Sequence, residues 1–171
     1  MSDRRVLIVD GYNVIRNGEP YATLAREDMD AARARLASDI AQSAYAADAV
    51  LLVFDGGGNP QSDGVTRPIA GIHVVFSRFG SDADSVIERE AMSRRTAGER
   101  VTVVSSDAQT QWATVGGGVA RMSAAEFVRA LATDRAEHSE SRRPRRPRSM
   151  VSERVDADVA ATLSRWARGG L

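Results

Sequence analysis

The chain has 171 residues, 43% hydrophobic and 27% charged, which suits one folded domain with a core and excludes wholesale disorder. No apolar run nears the roughly 20 residues that span a bilayer, and Met1-Ser2-Asp3-Arg4-Arg5 leads into only a four-residue apolar stretch, so neither a membrane role nor export is expected and a cytoplasmic location is. Cysteine is absent, which removes disulfides, thiolate nucleophiles and cysteine-held zinc together and leaves carboxylate oxygens to hold a metal, with a hard cation as the default. The zero net charge is uneven: residues 1–134 carry 14 Arg against 18 acids, a balance of −4, and residues 135–171 carry 9 Arg against 5 acids, a balance of +4. Every basic residue is Arg, a side chain suited to bidentate and stacked phosphate contacts.

Val6-Leu7-Ile8-Val9 reads as a buried parallel strand that breaks at Asp10-Gly11. From about Glu27 to Ala47, Met29, Ala32, Leu36, Ile40 and Ala44 recur at helical spacing without Pro or Gly, which predicts one long amphipathic helix. Ala49 to Phe54 is a second buried strand, and it stops at Asp55-Gly56-Gly57-Gly58. The Gly-, Pro- and Asp-rich stretch from Gly56 to Pro68 predicts a flexible loop, and Ile72 to Phe76 a third strand. Ser81-Asp82-Ala83-Asp84 then opens a helix reaching about Thr96 and closed by Gly98. Val101 to Val104 is a fourth strand running into Ser105-Ser106-Asp107, with a helical stretch around Gln109 to Ala113. Gly116-Gly117-Gly118 turns the chain, a short strand is expected near Val119 to Met122, and Ser123-Ala124-Ala125-Glu126 is a capping box for a helix to about Thr133.

The compact domain is therefore drawn over residues 1–135, and residues 136–171 as a basic linker with a C-terminal amphipathic helix. His138 to Ser149 is cationic and contains two prolines, which predicts a solvated arm. Beyond it Val155, Val159, Leu163 and Trp166 line one face of a helix that should dock against something.

Alternating strands and helices predict an α/β fold with a doubly wound, mainly parallel sheet, whose ligands bind at the carboxyl ends of the strands near a topological switch point. Asp10, Asp55, Asp82 or Asp84, and Asp107 each fall within a few residues of a strand's end, so carboxylates far apart in sequence can converge. Clustered carboxylates repel one another, a cost most simply offset by one or two divalent cations such as Mg²⁺ or Mn²⁺. A metal so held can align and acidify a water for attack on a phosphodiester. Asn13, three residues after Asp10, is a neutral group able to orient water or bind phosphate.

Plainer readings stand beside these. Aspartates after strands commonly cap the next helix or form a turn, and the helix dipole alone favours an acid at Asp84. Gly56-Gly57-Gly58 lacks the spacing of a dinucleotide fingerprint, so a loop is expected and a nicotinamide site is not. His73 and His138 read as non-catalytic, and Trp112 and Trp166 as packing residues. Tyr12 is the aromatic beside the proposed site, and Arg16, Arg78, Arg142, Arg143, Arg145 and Arg146 are candidate RNA contacts through phosphate, the last four with a solvated linker as the alternative.

Val9-Asp10-Gly11-Tyr12-Asn13-Val14-Ile15 resembles the opening signature of the YacP-like NYN family of PIN-like ribonucleases. Val53-Phe54-Asp55, Asp82 to Glu88, Val104 to Asp107 with Gln111-Trp112-Ala113, and later Gly118 to Arg121 and Leu163 to Gly169 resemble that family's further motifs in order, over nearly the whole chain. The resemblance implies a three-layer PIN-like (Rossmann-like) fold and metal-dependent endonucleolytic cleavage of single-stranded RNA, with a link to mRNA decay on translating ribosomes. It implies Asp10, Asp84 and Asp107 as metal-binding catalytic acids, Asp55 as a further member and Asn13 in support. Where the family carries a threonine-like residue this chain has Asp82, which leaves open whether Asp82 is a ligand or a cap.

Two rivals follow from other chemistry. An aspartyl-phosphate phosphatase would need a second acid two residues after Asp10, and position 12 is Tyr. A non-catalytic RNA- or ribosome-binding protein would keep the fold and use the basic tail for contacts.

Overall fold

The computed structural model describes residues 4–106, 118–141 and 150–169, with the side chains of 47, 138–141 and 150–156 left aside. Six strands form one sheet in the order β3-β4-β2-β1-β5-β6. They are β1 (Arg5–Asp10), β2 (Ala49–Phe54), β3 (Arg67–Ile69), β4 (Ile72–Phe76), β5 (Arg100–Val104) and β6 (Val119–Met122). All neighbours pair in parallel except β3 with β4, so the expected mainly parallel α/β architecture is the observed one.

The strands read as continuous apolar runs because both faces of the sheet are covered. On one face Val6, Ile8, Leu51, Val53, Val75, Val101 and Val103 pack with Ala83, Val86, Ile87 and Ala91 of helix α4 (Ala83–Thr96). The opposite face, carrying Leu7, Val9, Leu52, Phe54 and Val74, lies under helices α1 (Gly11–Asn17), α2 (Tyr21–Glu27), α3 (Met29–Ala41), α5 (Ala124–Ser141) and α6 (Met150–Ala167). The result is three layers with the sheet in the middle.

Three local readings differ from expectation. The helix expected from Glu27 to Ala47 is α3 followed by a 3₁₀ turn at Ala44–Ala47. Its ends are set by caps: the Asp28 carboxylate accepts from the N–H groups of Asp30 and Ala31, and the Ser43 hydroxyl from that of Tyr45. Two short helices, α1 and α2, precede it. The expected loop from Gly56 to Pro68 ends in β3, an edge strand of three residues in which Pro68 is tolerated because an edge position need not donate to a ladder. The helix expected around Gln109 to Ala113 and Trp112 lie outside the described residues, as does the Arg-Pro run 142–149.

Helix α5 continues past residue 135 to Ser141, and α6 packs on α3. Val159 and Leu163 of α6 are buried at 5% and 0% exposure, which supplies the docking partner its apolar face required. The end of α6 also holds the loop after β2: the Asn59 amide donates to the Ala167 carbonyl at 2.7 Å, the Arg67 guanidinium lies 5.5 Å over the Trp166 ring, and Arg168 reaches Asp30 at 3.0 Å. Among the described residues no helix is long and apolar enough to cross a membrane.

Candidate functional site

After β1 the chain moves to one side of the sheet to make β2 and β4, and after α4 it returns to the other side of β1 to make β5. The switch point therefore lies between β1 and β5, at their carboxyl ends. The register pairs Val9 with Val104 and Asp10 with Val53. Asp10 and the Ser105-Ser106 loop thus leave the sheet side by side.

Asp10 is half-buried and caps α1: its carboxylate accepts the Asn13 N–H at 3.0 Å. The chain can turn into the helix here because Gly11 has no side chain. A Cβ on it would fall 2.6 Å from one atom of the Phe54 ring and 3.0 Å from another, inside van der Waals contact. Asn13 faces the next loop, its side-chain oxygen accepting the Ser106 N–H at 2.8 Å, while the Ser106 hydroxyl accepts the Ala124 N–H at 2.9 Å. The segment leading to Asp107 is so tied to both α1 and α5. Asp107 itself lies outside the described residues.

Asp55 is exposed just past β2 and accepts the Gly57 N–H at 2.8 Å, with the Ser77 hydroxyl 3.4 Å from the same oxygen. Ser77 is a buried residue that sequence reading passed over. It accepts the Gly56 N–H at 2.9 Å and donates to the Ser81 carbonyl at 3.1 Å, stitching the loop after β2 to the loop after β4. Its signal, a serine directly after a strand, was present but too common to single out.

Asp82 is the cap of α4. Its carboxylate accepts the Ser85 N–H at 2.7 Å, and hydrogen bonds from the Ser85 hydroxyl and N–H hold it below the ordinary carboxylate range. Asp84 is exposed in the first turn of the same helix. One oxygen each of Asp10, Asp55 and Asp82 is thus committed to a backbone N–H. The set offers only oxygen donors, which suits a hard divalent cation. Among the described residues no three His, Asp or Glu side chains come together closely enough to hold a metal.

Tyr12 is half-buried, with its ring 5.1 Å from that of Phe54 and the guanidinium carbons of Arg33 and Arg16 at 5.2 and 5.9 Å. Its hydroxyl accepts from Arg33, which is itself held by Asp30. Arg16 and Arg78 are exposed, and Arg142, Arg143, Arg145 and Arg146 lie outside the described residues. His73 is exposed on β4, towards the amino ends of the strands, where with Arg4, Arg5, Asp48 and Arg100 it lines an open cavity of about 660 Å³. That cavity is at the opposite edge from the acids.

The YacP-like NYN domain family matches residues 7–168 of the chain. The chain belongs to that family. Among relatives of this NYN-family chain, the YacP protein of Bacillus subtilis (strain 168) is 30% identical over 175 residues, covering 97% of this chain and 98% of its own. The crystal structure of Rae1 (YacP) from Bacillus subtilis matches with a TM-score of 0.67 at 26% identity, covering 96% of this chain and 95% of that one. A tryptophan-to-leucine mutant of the same protein matches with a TM-score of 0.66 at 27% identity, covering 92% and 99%. NYN domains are nuclease-like and RNA-related, which places this chain in that general class.

Proposed function

We propose that this NYN-family chain is a metal-dependent endoribonuclease that cleaves single-stranded RNA, with mRNA on the ribosome as the cellular substrate and the cytoplasm as its location. The observation that carries this reading is the placement of Asp10, Asp55, Asp82 and Asp84 at the ends of neighbouring strands and at the start of α4, along the edge where a doubly wound sheet binds its ligands. Asp10, Asp84 and Asp107 would hold one or two Mg²⁺ or Mn²⁺ ions, with Asp55 and Asp82 the further acids. A divalent ion, when bound, supplies positive charge for the phosphate oxygens and lowers the pKa of a bound water.

The chain's own groups do the rest. Asn13 fixes the loop before Asp107, and Tyr12, Arg16 and Arg78 meet the RNA along the edge, with Arg142, Arg143, Arg145 and Arg146 extending the cationic path. Water attacks the phosphorus opposite the departing 3′ oxygen. The water's proton passes to a carboxylate of the site and the leaving oxygen takes one from solvent, giving a 5′-phosphate and a 3′-hydroxyl.

The test is cleavage of an end-labelled single-stranded RNA with Mn²⁺, with Mg²⁺ and with chelator, comparing the parent with Asp10→Asn. Internal cuts that need metal and vanish in the variant are expected. An absence of cuts on both free and ribosome-bound RNA would overturn the reading. A second reading, an RNA-binding protein that keeps the fold without cleaving, has one observation on its side: the excess of arginines over acids in residues 135–171, 9 against 5. It expects binding that survives chelation and weakens when the arginines of 142–148 are changed to glutamine, with no cleavage under any metal.

A further inference from the structure

Three large hydrophobic side chains stand exposed among the described residues: Met92 on α4, and Val65 and Phe79 at 51% and 55%. Val65 and Phe79 sit on the two loops that meet at the carboxyl edge. Phe79 lies between β4 and Asp82, two residues from Ser77, whose hydroxyl approaches Asp55 at 3.4 Å. We propose that Phe79 is a stacking platform for a base of single-stranded RNA entering the acidic edge, with Arg78 beside it on a flanking phosphate. The proposal rests on the chain's binding RNA and adds to that reading a specific contact.

The ring is presented by a hydrogen-bonded turn. The Ser81 N–H closes onto the Arg78 carbonyl at 2.9 Å, and Gly80, at φ +78°, takes the left-handed position that such a turn needs. The Phe79 N–H donates to the Ser62 carbonyl and the Gly80 N–H to the Gly57 carbonyl, both at 3.1 Å. The Ser62 hydroxyl donates to the Ser77 carbonyl at 2.7 Å. With its backbone polar groups so engaged on the facing loop, the turn holds the ring in water rather than against the core. A preordered aromatic anchor loses little conformational entropy on binding.

The chemistry selects the occupant. An exposed phenyl ring next in sequence to an exposed arginine matches a base and its phosphate, since every base has a π-face and stacking on an aromatic tolerates any sequence. Phe79 and Val65 together fall far short of the roughly 800 Å² that each partner buries in a standard protein interface. Tyr12, the aromatic nearer Asp10, already packs against Phe54 and two guanidinium groups.

The experiment is anisotropy of a short labelled single-stranded RNA in chelator, where no metal-dependent cleavage intervenes, with circular dichroism to check folding. Phe79→Ala and Phe79→Leu should weaken binding roughly 5- to 150-fold, the range of one stacked base. Phe79→Trp should bind within about threefold of the parent and show emission quenched by RNA beyond the parent's own change. Binding of Phe79→Ala equal to the parent, rescue by Leu as good as by Trp, or no RNA binding by the parent would each overturn the platform. Cleavage is read separately with metal: cuts by the parent with undiminished binding by Phe79→Ala would sink the platform and leave the nuclease standing. Weakened binding by Phe79→Ala with no cuts by the parent would do the reverse.

Discussion

The side-chain oxygen of Asn13 accepts the backbone N–H of Ser106 at 2.8 Å, joining the first turn of α1 to the loop that leaves β5 across the switch point. Ser105 and Ser106 lead directly to Asp107, so this bond sets where that segment starts relative to Asp10. Asn13→Ala should cost about 1 kcal/mol in urea unfolding, the worth of one such bond, and lower RNA cleavage. Asn13→Asp, which keeps an acceptor but adds a carboxylate near Asp10, should recover only part of the stability. Wild-type unfolding and cleavage in Asn13→Ala would contradict the bridging role.

Asp82 and Asp84 are two residues apart and should separate cleanly. Asp82 caps α4, so Asp82→Ala should lose about 0.5–2 kcal/mol of stability and Asp82→Ser little. Asp84, exposed in the first turn, should cost little stability as Asp84→Asn, yet that change should cut cleavage by at least about a hundredfold if it is a metal-binding acid. Paired thermal melts and cleavage rates decide the assignment, and the reverse pattern would move the ligand role to Asp82.

Helix α6 behaves as part of the folded unit. Leu163 is fully buried against the core shared with α3, so Leu163→Ala should destabilise by about 2–5 kcal/mol, whereas the exposed Met92→Ala should stay within about 0.5 kcal/mol. Equal melting temperatures for the two variants would mean that α6 contributes nothing to stability.

Acid should loosen the loops around the site before the core. The Asp63 carboxyl is drawn down to about 2 by hydrogen bonds from the Arg67 guanidinium and the Val65 N–H, and Asp82 is lowered by Ser85. A depressed carboxylate stabilises the fold above its unfolded pKa near 4 and loses that contribution as pH falls through its folded value. For Asp63 the window runs from about pH 4 to about pH 2. Both groups are exposed, so solvent screening keeps each effect below about 1 kcal/mol. Denaturant melts at stepped pH should show a shallower decline in Asp63→Asn than in the parent. An identical decline would remove the Asp63–Arg67 pair from the account.

Strands β1, β2, β4 and β5 and the acids within a few residues of their ends were legible because both signals are local: a β-branched apolar run, then an aspartate. The capping box at Ser123 was legible for the same reason, and in the structure the Ser123 and Glu126 side chains do exchange the hydrogen bonds its spacing implies. Helices α1 and α2 escaped notice because seven residues each, broken by Gly18 and Pro20, are too short to display a period. β3 was hidden by Pro68 at its centre.

By itself the amino-acid order determined a mainly parallel α/β unit, an oxygen-only set of candidate acids and an amphipathic final helix in need of a partner, since periodicity, capping and composition are carried by neighbouring residues. Only the tertiary structure decided that α6 lies on α3, that Asn13 reaches Ser106, that Asp82 spends an oxygen on Ser85, and that Phe79 is turned outward beside Asp55's loop. Those outcomes depend on which strands pair and which loops meet, and such long-range closure leaves no pattern in adjacent residues.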